Sequence, residues 1–257
     1  MRKRLHPQCT CARKTAEFFV SSRDQFFTSE RGGRMDFNAE KEQFQNIVRA
    51  SEWRRRKIAH EHVLVEDLPS FLDPEHTWID LRAHIGRETL VYPGCVIMGE
   101  SVIGKRCVIF PHTTLVNVQT GDEVTLGLPH LKNAKIGARS VIGSMAELNR
   151  AELGAGVMAV HHSYVGDTTL GEKCNVGAGF VTANYDGVKK HRTTFGPGSF
   201  LGVNASTIAP NEFPEGTQIA AGSTIPAYLK NVRAVPPFSV IISRVREVVI
   251  KARKMIS

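Results

Sequence analysis

Aliphatic residues recur at every sixth position along most of this chain. One array runs Ile85, Val91, Ile97, Ile103, Ile109 and Leu115. A second runs Ile136, Ile142, Leu148, then Leu153, Ala159, Val165, then Leu170, Val176 and Thr182, with five-residue steps between its thirds. A third runs Phe195, Leu201, Thr207, Phe213, Ile219 and Ile225. A period of six fits neither the 3.6 of an α-helix nor the alternation of a half-buried strand. It matches the hexapeptide repeat of a parallel β-helix. Each hexad supplies one short strand and one corner, and three hexads close a triangular coil with the aliphatic residues pointing into a narrow prism. Glycine often takes the corner, as in Ile85-Gly86, Ile103-Gly104, Ile136-Gly137, Ile142-Gly143 and Val176-Gly177, where a side chain would crowd the turn. One coil cannot bury its own strands, so stacking makes the core. The expected fold is an all-β solenoid, a left-handed parallel β-helix of about 21 hexads and about seven coils. It is expected to begin near Trp78 and to stop after Ile225.

The pattern also divides the chain. Residues 1–45 carry no repeat and read as an N-terminal extension, with Met35 as an alternative start. Residues 46–69 read as a helical linker: Ile47, Val48, Trp53 and Ile58 with the run Arg54-Arg55-Arg56-Lys57 suit a basic helix over 46–62, which Leu68-Pro69 and Asp73-Pro74 end. The solenoid takes 70–230. Residues 231–257 read as a C-terminal cap, in which an apolar segment leads into a short basic helix within 239–254. The repeat lapses at about 117–134 and again at 185–193, the latter as Tyr185-Asp186-Gly187-Val188-Lys189-Lys190-His191-Arg192-Thr193. Insertions in a solenoid leave from one face and often build its binding surface, so this basic excursion is where chemistry is sought.

Composition narrows the class. A chain of 257 residues, 42% hydrophobic, buries a sizeable core. It has no run of about 18 apolar residues, so no membrane span is expected; no apolar segment of a secretory leader follows the basic start. The five cysteines, Cys9, Cys11, Cys95, Cys107 and Cys174, form no paired framework and suit reduced thiols in a cytoplasm. Cys9-Thr10-Cys11 is too short and isolated for a zinc site, and no metal is expected. The net charge of +8 raises nucleic acid as a partner. The surplus sits at the ends, however: Arg2, Lys3, Arg4, Arg13 and Lys14 at one, Arg244, Arg246, Lys251, Arg253 and Lys254 at the other. Nucleic-acid binding therefore rests on the tails alone, and basic ends attract the phosphate of a small ligand equally well.

The densest polar group lies in the second array. It reads Val160-His161-His162-Ser163-Tyr164-Val165-Gly166-Asp167, then Asn175-Val176-Gly177-Ala178-Gly179, then Ala183-Asn184-Tyr185-Asp186-Gly187. With about 18 residues per coil, His161 and Asn184 are expected to be neighbours without being stacked. A neutral histidine beside polar groups accepts a proton from an amine near neutral pH. A pair of surface histidines on a corner is the competing reading, and only one of the two can face a given pocket because adjacent strand residues face opposite sides. Cys174 as a nucleophile has no adjacent base.

These strings resemble the acetyltransferase half of the bifunctional GlmU family, and the resemblance continues through Ser199-Phe200-Leu201-Gly202, Ile208-Ala209-Pro210, Ile219 to Thr224 and Ile242-Ser243-Arg244-Val245, and back to Asp73-Pro74-Glu75-His76-Thr77-Trp78-Ile79-Asp80. It covers about 70–257. It implies an N-acetyltransferase that moves an acetyl group from acetyl-CoA to the amine of an amino-sugar phosphate, most closely glucosamine-1-phosphate, in the supply of UDP-N-acetylglucosamine for the cell envelope. It implies His161 as general base and Asn184 beside the acceptor amine. Tyr164, Asn175, Tyr185 and Lys190 fall on sugar-phosphate contacts. Ala178, Val203, Ala221 and Arg244 fall on acetyl-CoA contacts. It further implies a homotrimer with sites between subunits. Three departures stand against it. The uridylyltransferase domain and its Leu-x-x-Gly-x-Gly-Thr-Arg-Met loop are absent, so no uridylyl transfer is expected. A family lysine falls on Asn149, next to Arg150, and a family arginine falls near His130-Leu131-Lys132. A family serine is Val203, whose backbone N–H remains available. Two other readings stay open: an acyltransferase for another, nucleotide-linked amino sugar, and a catalytically idle β-helix acting as scaffold or regulator.

Overall fold

The computed structural model describes residues 45–229 and 234–243. The expectations for the N-terminal extension, for Cys9 and Cys11, and for the basic C-terminal segment beginning at Arg244 lie outside them. The chain winds through three parallel sheets. Each coil visits sheet I, sheet II and sheet III in turn. Sheet I stacks ten strands from Ile47–Arg49 and Trp78–Asp80 up to Thr224–Ile225; sheet II stacks eight from His84–Ile85 to Asn211–Phe213; sheet III stacks ten from Ser70–Phe71 to Val240–Ile241. This is the β-solenoid expected from the hexads, with every array residue buried inside it. At its upper end the prism is filled by aromatic rings: Phe180 meets Phe195 edge-on at 6.1 Å, and Phe195 stacks on Phe213 at 4.7 Å.

The repeat is longer than the hexads alone suggested. About nine turns form instead of seven. The stretch 117–134 does not lapse but continues the coils, with strands Gln119–Thr120, Thr125–Leu126 and His130–Lys132 in register with their neighbours. Thr120 takes an inward position paired with Ile136, and its hydroxyl accepts from the Gly104 N–H at 3.0 Å. A polar residue at a core position, with five-residue steps from Leu115 to Thr120, Leu126 to Leu131 and Leu131 to Ile136, hid the period. The coils begin earlier than Trp78, since Ser70–Phe71 already pairs with Leu90–Val91. They end later than Ile225, since Val240–Ile241 pairs with Gln218–Ile219.

The linker is also only partly helical. Ile47–Arg49 is a strand antiparallel to Trp78–Asp80, and the helix α1 spans Ala50–Glu61. The first helical amide, of Ala50, donates to the Thr77 carbonyl at 2.9 Å. Trp53 is the plug: it is 1% exposed, its ring packs edge-on against Phe71, and its indole N–H donates to the Ala83 carbonyl at 3.3 Å. The helix thus closes the lower end of the prism.

Corner glycines are required by the spacing between coils. A Cβ on Gly104 would stand 2.2 Å from the Gly121 carbonyl oxygen, and one on Gly143 would stand 1.7 Å from that of Val160. Gly127 occupies the equivalent corner one coil below Gly143, yet a Cβ there would stand 3.6 Å from its nearest neighbour. Gly143→Ala is therefore expected to destabilise the chain by about 1–3 kcal/mol through overpacking. Gly127→Ala should be neutral or stabilising by up to about 1 kcal/mol. Chemical denaturation of the two variants checks this; equal losses would refute the close-approach account.

Candidate active site

Strand register decides which of the sequence-predicted residues share a face. His161, Ala178, Val203 and Ala221 occupy the same corner, between sheets III and I, on four successive coils. Backbone bonds hold that column: Gly179 N–H donates to the His162 carbonyl, Asn204 N–H to Ala178 and Gly222 N–H to Val203, each at 2.8 Å. His161, Val203 and Ala221 are exposed, and Ala178 is half-buried. Pro93 and Pro111 stand at this position in lower coils, where no N–H is available. Among the described residues, the amides of Ala178, Val203 and Ala221 donate to no protein acceptor. The column therefore offers a line of small side chains and open backbone donors along one edge, directly above a histidine. Such a line suits an extended ligand chain whose carbonyl groups accept from those amides. Asn175 belongs to the same edge, on sheet III, in register with Met158 and Phe200.

The remaining residues gather elsewhere. Tyr164 faces outward from the middle of the sheet I strand Ser163–Gly166. Its ring lies across Gly166: a Cβ there would stand 2.6 Å from the Tyr164 hydroxyl and 2.7 Å from the Asn184 amide nitrogen. Asn184 is 6% exposed, and its Nδ2 donates to Asp167 Oδ2. Arg150 clamps the same carboxylate, with Nε donating to Oδ1 at 2.6 Å and a terminal nitrogen to Oδ2 at 2.8 Å. Burial alone would raise the Asp167 pKa, but the hydrogen bonds from Arg150 and Asn184, and the charges of Arg150 and Lys190, outweigh it and hold the carboxyl below its ordinary range. Burial pushes the Tyr164 phenol up, with the Glu147 and Asp167 charges adding to it, so it stays a neutral donor. This cluster lies at the corner between sheets I and II.

His161 and Asn184 are thus not neighbours, contrary to expectation. They sit beyond opposite ends of one strand, and about 10 Å of backbone lies between those ends. The 23-residue separation misled because Asn184 bonds to Asp167, past the far end of the strand that His161 precedes. Tyr185 and Lys190 stand on the excursion, which is a hairpin: the two residues form an antiparallel bridge. The Lys190 charge adds to those holding the Asp167 carboxyl down. Tyr185 is 59% exposed, and its hydroxyl donates to the Gly187 carbonyl at 2.7 Å. Arg244 lies outside the described residues. His162 is exposed beside His161 and offers its backbone carbonyl to the coil above. Cys174 is buried, and burial pushes its thiol up, away from the thiolate a nucleophile needs.

One residue was visible in sequence only as part of a tripeptide. Sheet I pairs Lys132 with Asn149, and Asn149 with Gly166. Lys132 is exposed and stands one ladder step below Asn149, on the outward row that leads to Tyr164 and Asn184. The signal for it was the length of its coil, 17 residues between Lys132 and Asn149 rather than 18, and that length is set by register. Asn149 Oδ1 accepts from Arg150 at 2.9 Å. Among the described residues no group of three or more His, Cys, Asp or Glu side chains is placed to hold a metal ion, and no helix is long and apolar enough to cross a membrane.

No family model matches the chain. The chain is similar to the bifunctional protein GlmU. It is 36% identical to that of Symbiobacterium thermophilum over 225 residues, 80% of this chain and 46% of the relative. It is 35% identical to that of a Geobacillus species over 220 residues, 79% of this chain and 46% of the relative. The Clostridium botulinum protein is 33% identical over 212 residues, 76% of this chain and 45% of its own length. The chain thus spans about half the length of the curated GlmU relatives it matches.

The Arg150–Asp167 clamp generates a pH prediction. A carboxyl held below its unfolded value, about 3.9, contributes stability that is full above that value and lost as pH falls through the lower folded one. Asp167→Asn should lower the melting temperature at pH 6, and its gap to wild type should narrow by pH 3. Thermal melts across that range check this, and a gap that stays constant would show that the charge contributes nothing.

Proposed function

We propose that this chain is an N-acetyltransferase acting on an amino-sugar phosphate, with glucosamine-1-phosphate as acceptor and acetyl-CoA as donor. The observation that carries the reading is the column of His161, Ala178, Val203 and Ala221. It sets one histidine directly below open backbone donors on three consecutive coils. The similarity to GlmU across four-fifths of the chain supports it. Transfer is direct. The neutral amine attacks the thioester carbonyl, His161 takes the proton that the amine loses, and backbone amides stabilise the tetrahedral oxyanion. Collapse breaks the carbon–sulfur bond, and the imidazolium returns its proton to the departing thiolate. Tyr164, Asn184 and Lys190, with Lys132 below them, receive the sugar phosphate. The lysines act as point charges on the phosphate, and Asn175 approaches the acceptor from the histidine side.

The same geometry motivates a homotrimer. The histidine edge and the Tyr164–Asn184–Lys190 edge of one chain are too far apart to surround one sugar. A second copy packed against sheet I brings its histidine edge to the phosphate edge of the first. Sheets I and III carry the exposed apolar residues suited to such packing, among them Trp78, Val181 and Ile208 on sheet I and Met158, Phe200 and Val240 on sheet III. Val102 is the single exposed large apolar residue on sheet II among the described residues. Arg244 falls to the cofactor in this arrangement, and the assembly works in the cytoplasm.

A second reading is favoured by Asn149, which puts an amide where the GlmU resemblance implies a lysine: the acceptor is a different amino sugar, carried on a nucleotide. A thiol-release assay with glucosamine-1-phosphate, glucosamine-6-phosphate and UDP-linked amino sugars separates the two. Release with glucosamine-1-phosphate alone is the expected result, and release with none of them would favour a scaffold role. His161→Ala should lower kcat by about 10²–10⁴-fold, and full activity in that variant would remove the proposed base. Sedimentation equilibrium should give three times the 28.4 kDa chain mass.

A further inference from the structure

Nine residues, Asn184 to Arg192, leave the regular coil between the strands that end at Ala183 and begin at Thr193. Val181 and Ser206 are register partners 25 residues apart, whereas Tyr164 and Val181 are 17 apart. The ladder resumes at once on the far side, where Thr193 pairs with Thr168. The excursion is therefore an addition to a coil that closes without it, and its shape depends on bonds of its own.

Those bonds converge on Asp186. Its Oδ1 accepts the backbone N–H groups of Val188 and Lys189, both at 2.8 Å, which fixes the turn. Its Oδ2 lies 2.6 Å from His191 Nε2, which ties the turn to the returning limb. The His191 N–H donates to the Asn184 carbonyl at 2.7 Å and closes the base. Lys190 stands between the two anchored ends, bridged to Tyr185. The Asp186 carboxyl is held far below the carboxylate range by the Lys189 amide, by His191 and by the Val188 amide, so it is an anion throughout the working range. His191 is largely shielded, with 16% of its side chain exposed. The backbone joins the limbs at the Tyr185–Lys190 bridge, where the Asp186 N–H also donates to the Lys189 carbonyl at 3.2 Å, and among the described residues the Asp186–His191 contact is the side-chain cross-link between them.

We propose that His191 is a positioning residue: by holding Asp186 across the hairpin it fixes Lys190 at the phosphate end of the acceptor site, and so sets affinity for the phosphorylated acceptor without taking part in the acyl transfer. This rests on the acetyltransferase reading above. It assigns the hairpin's rigidity to one side-chain contact, and it separates His191 from His161, which acts at the other edge of the sheet.

The test compares His191→Phe, which keeps the ring and loses the donor, with His191→Gln, whose amide nitrogen reaches the Nε2 position and donates to Asp186. Thiol release is measured with glucosamine-1-phosphate and with unphosphorylated glucosamine, together with the rate of trypsin cleavage after Lys189 and Lys190 in the native protein. Loss of one charge-assisted bond in the clamp is expected to raise KM for glucosamine-1-phosphate roughly tenfold in His191→Phe, with kcat within about twofold. Values for glucosamine should be unchanged, and His191→Gln should recover most of the affinity. Trypsin should cut the His191→Phe loop faster and leave the Gln variant near wild type. Unchanged KM, a fall in kcat, or equal losses for both acceptors would overturn the proposal, as would identical cleavage of all three proteins. If the wild type releases thiol with neither acceptor, the acetyltransferase reading fails, and the cleavage rates alone then decide whether the clamp exists.

Discussion

Outside the hairpin, every side chain of interest here is held at its height by backbone hydrogen bonds between successive coils. The bonds recur at each corner and strand at 2.7–3.2 Å, as in Gly177 to Leu201 and Gly202 to Ile219. They fix register, and register fixes which residues share a face. A slip of one residue would turn Tyr164 inward and bring Val165 to the surface. The same ladder demands glycine where coils approach most closely, at Gly104 and Gly143. Left-handed corner positions are instead filled mostly by other residues, such as Glu88, Arg106, Glu123, Arg139 and Lys173. Close approach between coils, more than backbone freedom, explains the glycines that follow the strands.

A scaffold held so regularly has no reason to bend around a ligand, so specificity falls to what departs from it. The coil between Val181 and Ser206 shows how a departure is accommodated. The hairpin leaves after Ala183 and returns at Thr193, and the rungs on either side are undisturbed. Its internal bonds are to Asp186 and Asn184, not to the core. Asn184 connects the two systems, since its side chain bonds to Asp167 on the coil below and its carbonyl receives the hairpin's returning limb. Arg150 completes the link from one coil further down. A rigid stack therefore supports a small bonded loop through one buried asparagine, the Arg150–Asp167 pair, and Arg192, which bonds to Thr169 and pairs with Glu152.

The sequence carried the fold where core residues were aliphatic and failed where they were not. Ile85 to Leu115 and Phe195 to Ile225 mark their coils without ambiguity. Thr120 at an inward position and the five-residue steps around it concealed a coil that backbone bonding nevertheless completes. Ile47 to Arg49 read as helix because its neighbours are helical, but an edge of sheet I was available, and pairing with Trp78–Asp80 prevailed over local propensity. For the site, the residues singled out in the sequence fall on two separate edges, and that grouping was not legible. Counting residues placed His161 beside Asn184, because a count cannot tell which end of a strand a side chain turns toward. Lys132 became distinguishable from His130 only once Lys132 was seen to pair with Asn149.

That grouping constrains how the proposed chemistry can be assembled. The proposed base, His161, and the proposed phosphate lysine, Lys190, flank a strand whose outward face is occupied by the Tyr164 ring. No rotamer of His161 crosses that strand. Bending the scaffold would break the rungs that hold Ala178, Val203 and Ala221 in line. The proposed homotrimer answers that separation with a second chain. Its approach is favoured on sheets I and III, where apolar residues are exposed, and disfavoured on sheet II, whose outward row runs through Gln119, Lys135, Glu152, Thr169 and Thr194. The polar face of sheet II stands beside two faces that expose apolar residues, and the proposed homotrimer rests on that contrast.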